Sequence, residues 1–275
     1  MNINVLEYIS EQLPKSEKMP VLFLGHGSPM NAIEENQFVR GFREISKKIP
    51  TPNAILCISA HWYTKGTYVT SGEMQKTIHD FYGFPQELFE VEYPAKGNPE
   101  LAKETAELLA PTSVIETDSW GLDHGAWSVI KHLYPAANIP VIQMSIDYTQ
   151  PAQYHFDLAK KLQKLREKGI LIIGSGNIVH NLRMIDWKNI NTVGAGWDWA
   201  IEARAKTNEW TLDGNFQNLI HFEKQGAALQ NAIPTPDHYL PLIYTLGLKE
   251  KSDEISLFND ELIGGSLSMT SVYID

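Results

Sequence analysis

Three apolar runs in this 275-residue chain lead directly into histidine. Val21-Leu22-Phe23-Leu24 continues as Gly25-His26-Gly27-Ser28-Pro29, and Ile55-Leu56-Cys57-Ile58 as Ser59-Ala60-His61-Trp62. Ile170-Leu171-Ile172-Ile173 continues as Gly174-Ser175-Gly176-Asn177-Ile178-Val179-His180-Asn181. Imidazole binds zinc, iron, copper and nickel, and its neutral form is available near pH 7. The small residues beside each histidine let backbone and ligand come close. Two further candidates are His238, delivered by the proline turn Pro234-Thr235-Pro236-Asp237-His238, and His124, which follows Asp123 at the start of a helical segment. Three protein ligands with open positions describe a catalytic metal site. An unliganded histidine beside it can move protons, its ordinary pKa being about 6.5. Of the remaining four histidines, His79 is read as a pocket wall near Phe81-Tyr82-Gly83-Phe84. His132, His155 and His221 are read as surface or core-edge residues of predicted helices.

Residues so far apart in sequence need a scaffold that gathers them. Short apolar runs at 21–24, 54–60, 68–70, 114–116, 140–146 and 170–173 predict strands. Periodic segments at 38–48, 99–109, 125–133, 151–168, 195–210 and 215–229 predict helices. Strand and helix alternate, so the expected architecture is α/β: a central, mostly parallel mixed sheet with helices on both faces. In such sheets ligands bind outside the carboxyl ends of the strands, where His26, His61 and His180 are predicted to lie. No linker or repeat interrupts the chain, which is read as one catalytic domain over 1–275, with 1–18 a peripheral segment.

Composition narrows the chemistry. A net charge of −10 argues against a protein that holds nucleic-acid phosphates. The single cysteine, Cys57, has no partner for an internal disulfide and reads as a buried, inert thiol. No apolar run reaches the roughly 18 residues of a membrane span, and the N-terminus lacks the pattern of a secretory signal, so the cytoplasm is the expected location. Gly174-Ser175-Gly176-Asn177-Ile178-Val179 lacks the third glycine of a dinucleotide fingerprint, and neither Ser28 nor Ser175 stands in a nucleophile elbow.

Five motifs stand in order: Gly25-His26-Gly27-Ser28-Pro29-Met30, Ser59-Ala60-His61-Trp62, Leu122-Asp123-His124-Gly125-Ala126-Trp127, Gly174 to Asn181, and Pro236-Asp237-His238-Tyr239. As a set, from about Pro20 to the C-terminus, they resemble the 4,5-DOPA extradiol dioxygenase family, a branch of the class III, LigB-like extradiol ring-cleavage dioxygenases. Phe81-Tyr82-Gly83-Phe84-Pro85 and Tyr93-Pro94-Ala95 are similar to the family as well. The resemblance implies an enzyme that opens a catechol such as DOPA with dioxygen at a mononuclear metal, ferrous iron being expected for activity. It implies His26, His61 and His238 as metal ligands, His180 as either a further ligand or an acid/base, and His124 as a second pocket histidine that binds or protonates a substrate oxygen. Many ring-cleaving relatives use two histidines and a carboxylate; here the third position reads His238. An all-histidine set also suits zinc, which has no accessible second oxidation state. Two other functions remain open to the same residues: a zinc hydrolase with His180 or His124 as base, and a metal-binding protein without turnover. The aromatic residues Trp62, Phe81, Tyr82, Phe84, Trp120 and Trp127 are candidates to stack on a flat substrate.

Overall fold

The strands that carry the histidines are buried on both faces, and their side chains divide between two cores. In β1 (Val21–Gly25), Val21 and Phe23 enter one core while Leu22 and Leu24 enter the other. In β2 (Ala54–Thr64), Leu56 and Ile58 oppose Ile55 and Cys57 in the same way. The period of two sends alternate residues to opposite faces, so a strand covered by helices on both sides must be apolar throughout.

The computed structural model describes residues 18–275; of the predicted peripheral segment only Lys18 falls within it. The helices are α1 (Gln37–Ser46), α2 (Gln86–Phe89), α3 (Pro99–Leu108), α4 (His124–Leu133), α5 (Ala152–Lys160), α6 (Gln163–Glu167), α7 (Asp198–Leu212), α8 (Phe216–Ile220), α9 (Ala227–Ala232) and α10 (Leu240–Gly247). The other strands are β3 (Thr67–Thr70), β4 (Val114–Thr117), β5 (Val141–Asp147), β6 (Ile170–Gly176), β7 (Ile255–Phe258), β8 (Leu262–Ile263), β9 (Leu267–Ser268) and β10 (Ser271–Ile274). Eight strands form one sheet in the order β4-β3-β5-β2-β6-β1-β10-β7. Its centre, β5-β2-β6-β1, is parallel, and β3 and β10 run antiparallel to their inner neighbours. Helices α1 and α4 cover one face through Phe38, Phe42, Trp127 and Ile130; α5 and α10 cover the other through Leu158, Ala159, Leu242 and Ile243. The α/β architecture predicted from the sequence is therefore the observed one. Cys57 is fully buried, and burial pushes its thiol well above the usual range, as expected of an inert core thiol. No helix among the described residues is long and apolar enough to cross a membrane.

Several elements differ from prediction. The helix expected over 151–168 is two helices, because Lys161 N–H and Leu162 N–H bond three residues back, to Leu158 and Ala159. This tight turn lets both Leu162 and Leu165 bury completely. The helix expected over 215–229 breaks at His221 and at Gly226, whose φ of 94° is a left-handed conformation that glycine adopts without strain. Strand β2 runs past Ala60 to Thr64, so His61 sits inside it rather than after it. His155 is not at an edge: it is fully buried, and its Nδ1 meets the Tyr244 hydroxyl at 2.9 Å. His132 is also buried and donates from Nε2 to the Asn31 carbonyl at 2.7 Å; His221 is exposed.

Candidate active site

The carboxyl edge of the parallel strands gathers all five candidate histidines on one cavity of about 800 Å³. His26 follows the last residue of β1, its N–H bonded to the Gly176 carbonyl at 3.0 Å. His61 lies where β2 leaves its ladder with β6, after the Ser59–Ser175 pair, and where its register with β5 shifts between Ile58 and Tyr63. Such a bulge re-aims side chains. His124 opens α4, capped by Asp123, whose Oδ1 accepts from Ala126 N–H at 3.1 Å. His180 lies beyond β6, and His238 just before α10. The His238 carbonyl crosses Gly176 closely enough that a Cβ there would overlap it, and it accepts from Asn177 N–H at 2.9 Å.

Three of the rings form an almost equilateral triangle. Their centroids are 5.1 Å apart for His26 and His61, 5.3 Å for His26 and His238, and 4.9 Å for His61 and His238. Nδ1 of His26 and of His238 is hydrogen-bonded on the far side, and that of His61 faces a carboxylate. Ser175 Oγ donates to the Gly125 carbonyl at 2.5 Å, so it must accept from His26 Nδ1–H at 2.9 Å. His238 Nδ1 bonds the Asp237 carboxylate, and His61 Nδ1 faces Asp80 Oδ2 at 3.4 Å. A ring whose Nδ1 donates in this way has its Nε2 left as a lone pair.

His26 Nε2 and His61 Nε2 approach to 3.3 Å. Two nitrogens bound at about 2.0–2.1 Å to one tetrahedral ion are separated by roughly 3.4 Å, so the pair fits a shared metal. Burial, reinforced by the neighbouring histidines, holds His26 and His238 well below the ordinary value, and burial holds His61 down to about 3. All three are thus neutral at pH 7, as ligation requires.

The other two histidines are placed differently. His180 stacks on His238 at 3.5 Å with only 7° between the rings, so a point in the plane of one ring lies well outside the plane of the other. Their in-plane lone pairs cannot both aim at one ion. Burial holds His180 down to about 4. His124 packs 3.9 Å from His61, and nitrogens of His26, His61 and His124 come within 4.8 Å of one another, as do donor atoms of His180, Asp237 and His238.

Some predicted wall residues are absent from the cavity. Phe81 and Phe84 line it, whereas Trp62 stacks on Trp120, Trp127 is core and Tyr82 projects into solvent. His79 does not line it either; its Nε2 bonds the Val91 carbonyl at 2.9 Å. Unforeseen in the sequence are Asp80, beside His61 and His124, and the apolar segment of Leu182, Ile185, Trp187, Ile190 and Val193 that closes one wall. Ser175, considered only as a nucleophile, instead orients His26. Ser175→Ala is expected to weaken zinc binding about 10- to 100-fold, the usual cost of losing the group behind a metal-ligating histidine. Competition with a chromogenic chelator measures it, and unchanged affinity would contradict the orienting role.

A parallel-centred α/β sheet with an all-imidazole, metal-compatible cluster at its strand ends defines the class of the molecule. The family model described as "Catalytic LigB subunit of aromatic ring-opening dioxygenase" matches residues 20–267. The chain is 43% identical to the Escherichia coli (strain K12) protein named 4,5-DOPA dioxygenase extradiol, over 97% of this chain and 98% of that one. It is 34% identical to the Beta vulgaris protein of the same name, over 90% and 94%. The crystal structure of an Escherichia coli K12 protein described as uncharacterized superimposes with a TM-score of 0.81 at 38% identity, covering 94% of this chain and all of that one. The chain belongs to the LigB family of aromatic ring-opening dioxygenases, and it is an enzyme of the extradiol type.

Proposed function

We propose that the protein opens the ring of a catechol such as DOPA, using dioxygen at one ferrous ion held by His26, His61 and His238. The observation that carries this reading is the triangle of neutral imidazoles spaced 4.9–5.3 Å apart, with the outer nitrogens of His26 and His238 hydrogen-bonded and that of His61 facing Asp80. Three protein ligands on one side leave the opposite positions free. When bound, ferrous iron supplies the charge that draws two catechol oxygens to the site and the redox capacity that insertion of dioxygen requires.

The chain's own residues do the rest. His180 is assigned as acid/base rather than ligand, a role that its stacking on His238 supports: the ring is neutral at pH 7 and offers a nitrogen for a catechol hydroxyl proton. His124, on the opposite flank beside His61, is assigned to a substrate oxygen. Phe81 and Phe84 offer ring faces and edges to a planar substrate. Leu182, Ile185 and Ile190 give the cavity an apolar wall beside the substrate. The names carried by the Escherichia coli and Beta vulgaris relatives support DOPA as a first substrate to try.

The test is anaerobic loading with Fe(II), then addition of DOPA and other catechols with oxygen. Stoichiometric oxygen uptake with a coloured ring-opened product is expected, and none with zinc in place of iron. Silence across the catechol panel would sink the reading, and turnover with zinc in the absence of oxygen would replace it with a hydrolase.

A further inference from the structure

We propose that Asp80 is a positioning residue shared by His61 and His124, and that it sets the proton arrangement of both rings at once. Its Oδ1 accepts from the His124 backbone N–H at 2.8 Å and lies 3.0 Å from His124 Nδ1; its Oδ2 faces His61 Nδ1 at 3.4 Å. One backbone N–H thus donates to the carboxylate, and the Nδ1 atoms of both rings lie within 3.4 Å of its oxygens, which only accept when ionised. An acceptor so placed favours a hydrogen on Nδ1 of both rings, which turns each Nε2 lone pair toward the cavity. The inference rests on the proposed assignment of His61 as a metal ligand and of His124 to a substrate oxygen. It makes one carboxylate the common support of two roles.

The local structure holds Asp80 in place for this. Ile78 N–H bonds the Leu122 carbonyl at 2.8 Å, and the Trp127 indole N–H bonds the Ile78 carbonyl at 2.9 Å, so the loop is fastened to both ends of the turn that starts α4. His79 ties the same loop to Val91. On the far side of Asp80, Phe81 meets His124 edge-on at 5.6 Å and 81°. His61 has a second support: its N–H contacts Ser59 Oγ at 3.3 Å, and Ser59 donates to the buried Asp123 at 2.6 Å. Gly125 leaves His61 room, since a Cβ there would lie 2.8 Å from His61 Cδ2. Backbone and packing therefore set where the two rings sit, while Asp80 sets which nitrogen of each is free.

An asparagine in this place keeps the volume and one acceptor but turns the other into an N–H donor. The His124 backbone N–H keeps the amide oxygen on its own side, so the NH2 faces His61, whose Nδ1 then meets a donor and whose hydrogen must sit on Nε2. Long-range nitrogen–proton NMR of the metal-free protein, labelled with 15N-histidine and assigned through single His→Gln variants, reads these tautomers directly. Wild type is expected to show Nδ1–H at both His61 and His124. Asp80→Asn is expected to convert His61 to Nε2–H and to weaken zinc binding about 10- to 100-fold, with the thermal midpoint little changed. Asp80→Glu retains two acceptors and is expected to keep both tautomers and to recover zinc affinity above that of Asp80→Asn. Wild-type tautomers and affinity in Asp80→Asn would overturn the proposal, as would Nε2–H at either ring in wild type. If Asp80→Asn does not fold, the wild-type tautomers and the Asp80→Glu measurements still decide. None of these readouts needs a catechol, so failure of the ring-opening assay and failure of this proposal remain separate results.

Discussion

Replacing His238 with alanine is expected to empty the metal site and take ring opening below detection, whereas replacing His180 with alanine is expected to leave the metal bound and lower kcat by about 100- to 10,000-fold, the span of a lost general acid or base. The contrast follows from the stacked pair. The two rings lie 3.5 Å apart and nearly parallel, so one ion cannot take an in-plane lone pair from both. Only His238 completes the even triangle with His26 and His61, and only it has its Nδ1 bound to a carboxylate, the usual device for orienting a ligating imidazole. Metal per protein by elemental analysis and oxygen uptake under saturating iron separate the two outcomes. A metal-free His180→Ala protein beside a metal-loaded His238→Ala protein would exchange the assignments. Equal metal loss in both would mean that the stack acts as a unit.

The histidines were legible because the strands that deliver them are. A strand buried on both faces is a continuous apolar run, so Leu24-Gly25-His26 announces both the element and its tip, while Ile58-Ser59-Ala60-His61 announces the strand but not its continuation to Thr64. Asp80 was not legible: it follows His79 in a loop with no period, and its partners at His61 and His124 are set by tertiary contacts alone. The relation between His180 and His238 was equally hidden, since it depends on the His238 carbonyl fitting against Gly176. Strand β10 was missed although it completes the sheet beside β1. Ser271-Val272-Tyr273-Ile274 is only four residues long, and an antiparallel register against Val21–Phe23 leaves no mark in the local sequence. Helix α10 has no counterpart among the predicted elements: the proline turn is read only around His238, because proline at a first helical turn and proline in a loop look alike.

The largest effect outside the site is expected from Asp253→Ala, at about 3–5 kcal/mol of folding stability. Arg166 is completely buried in α6, and its guanidinium joins distant parts of the chain. Nε donates to the Met19 carbonyl at 2.8 Å, while Nη1 donates to the Leu248 carbonyl at 2.9 Å and to Asp253 Oδ2 at 2.6 Å. Asp253, also buried, accepts in addition from Glu250 N–H at 2.8 Å and pairs with Lys18. Removing the carboxylate strands a guanidinium that cannot shed its proton, and its desolvation is then uncompensated. By contrast Asp157→Ala, which breaks an exposed pair with Lys160, is expected to cost no more than about 1 kcal/mol. The same ion pair predicts an acid limb. Burial alone would raise the Asp253 carboxyl, but the hydrogen bonds from Arg166 and Lys18 outweigh it and hold the carboxyl below the usual carboxylate range. A group depressed in the folded state stabilises fully above its unfolded pKa, about 3.9, and loses that contribution as pH falls through the lower folded value. Denaturant titrations should therefore show the wild-type advantage over Asp253→Ala constant from about pH 5 to 8 and shrinking below about pH 4. A difference under about 1 kcal/mol at pH 7 would show that the pair is structurally idle. Adding Arg166→Met to Asp253→Ala, which removes the stranded charge, is expected to recover most of the loss, because the penalty lies in the unpaired cation rather than in the missing contact.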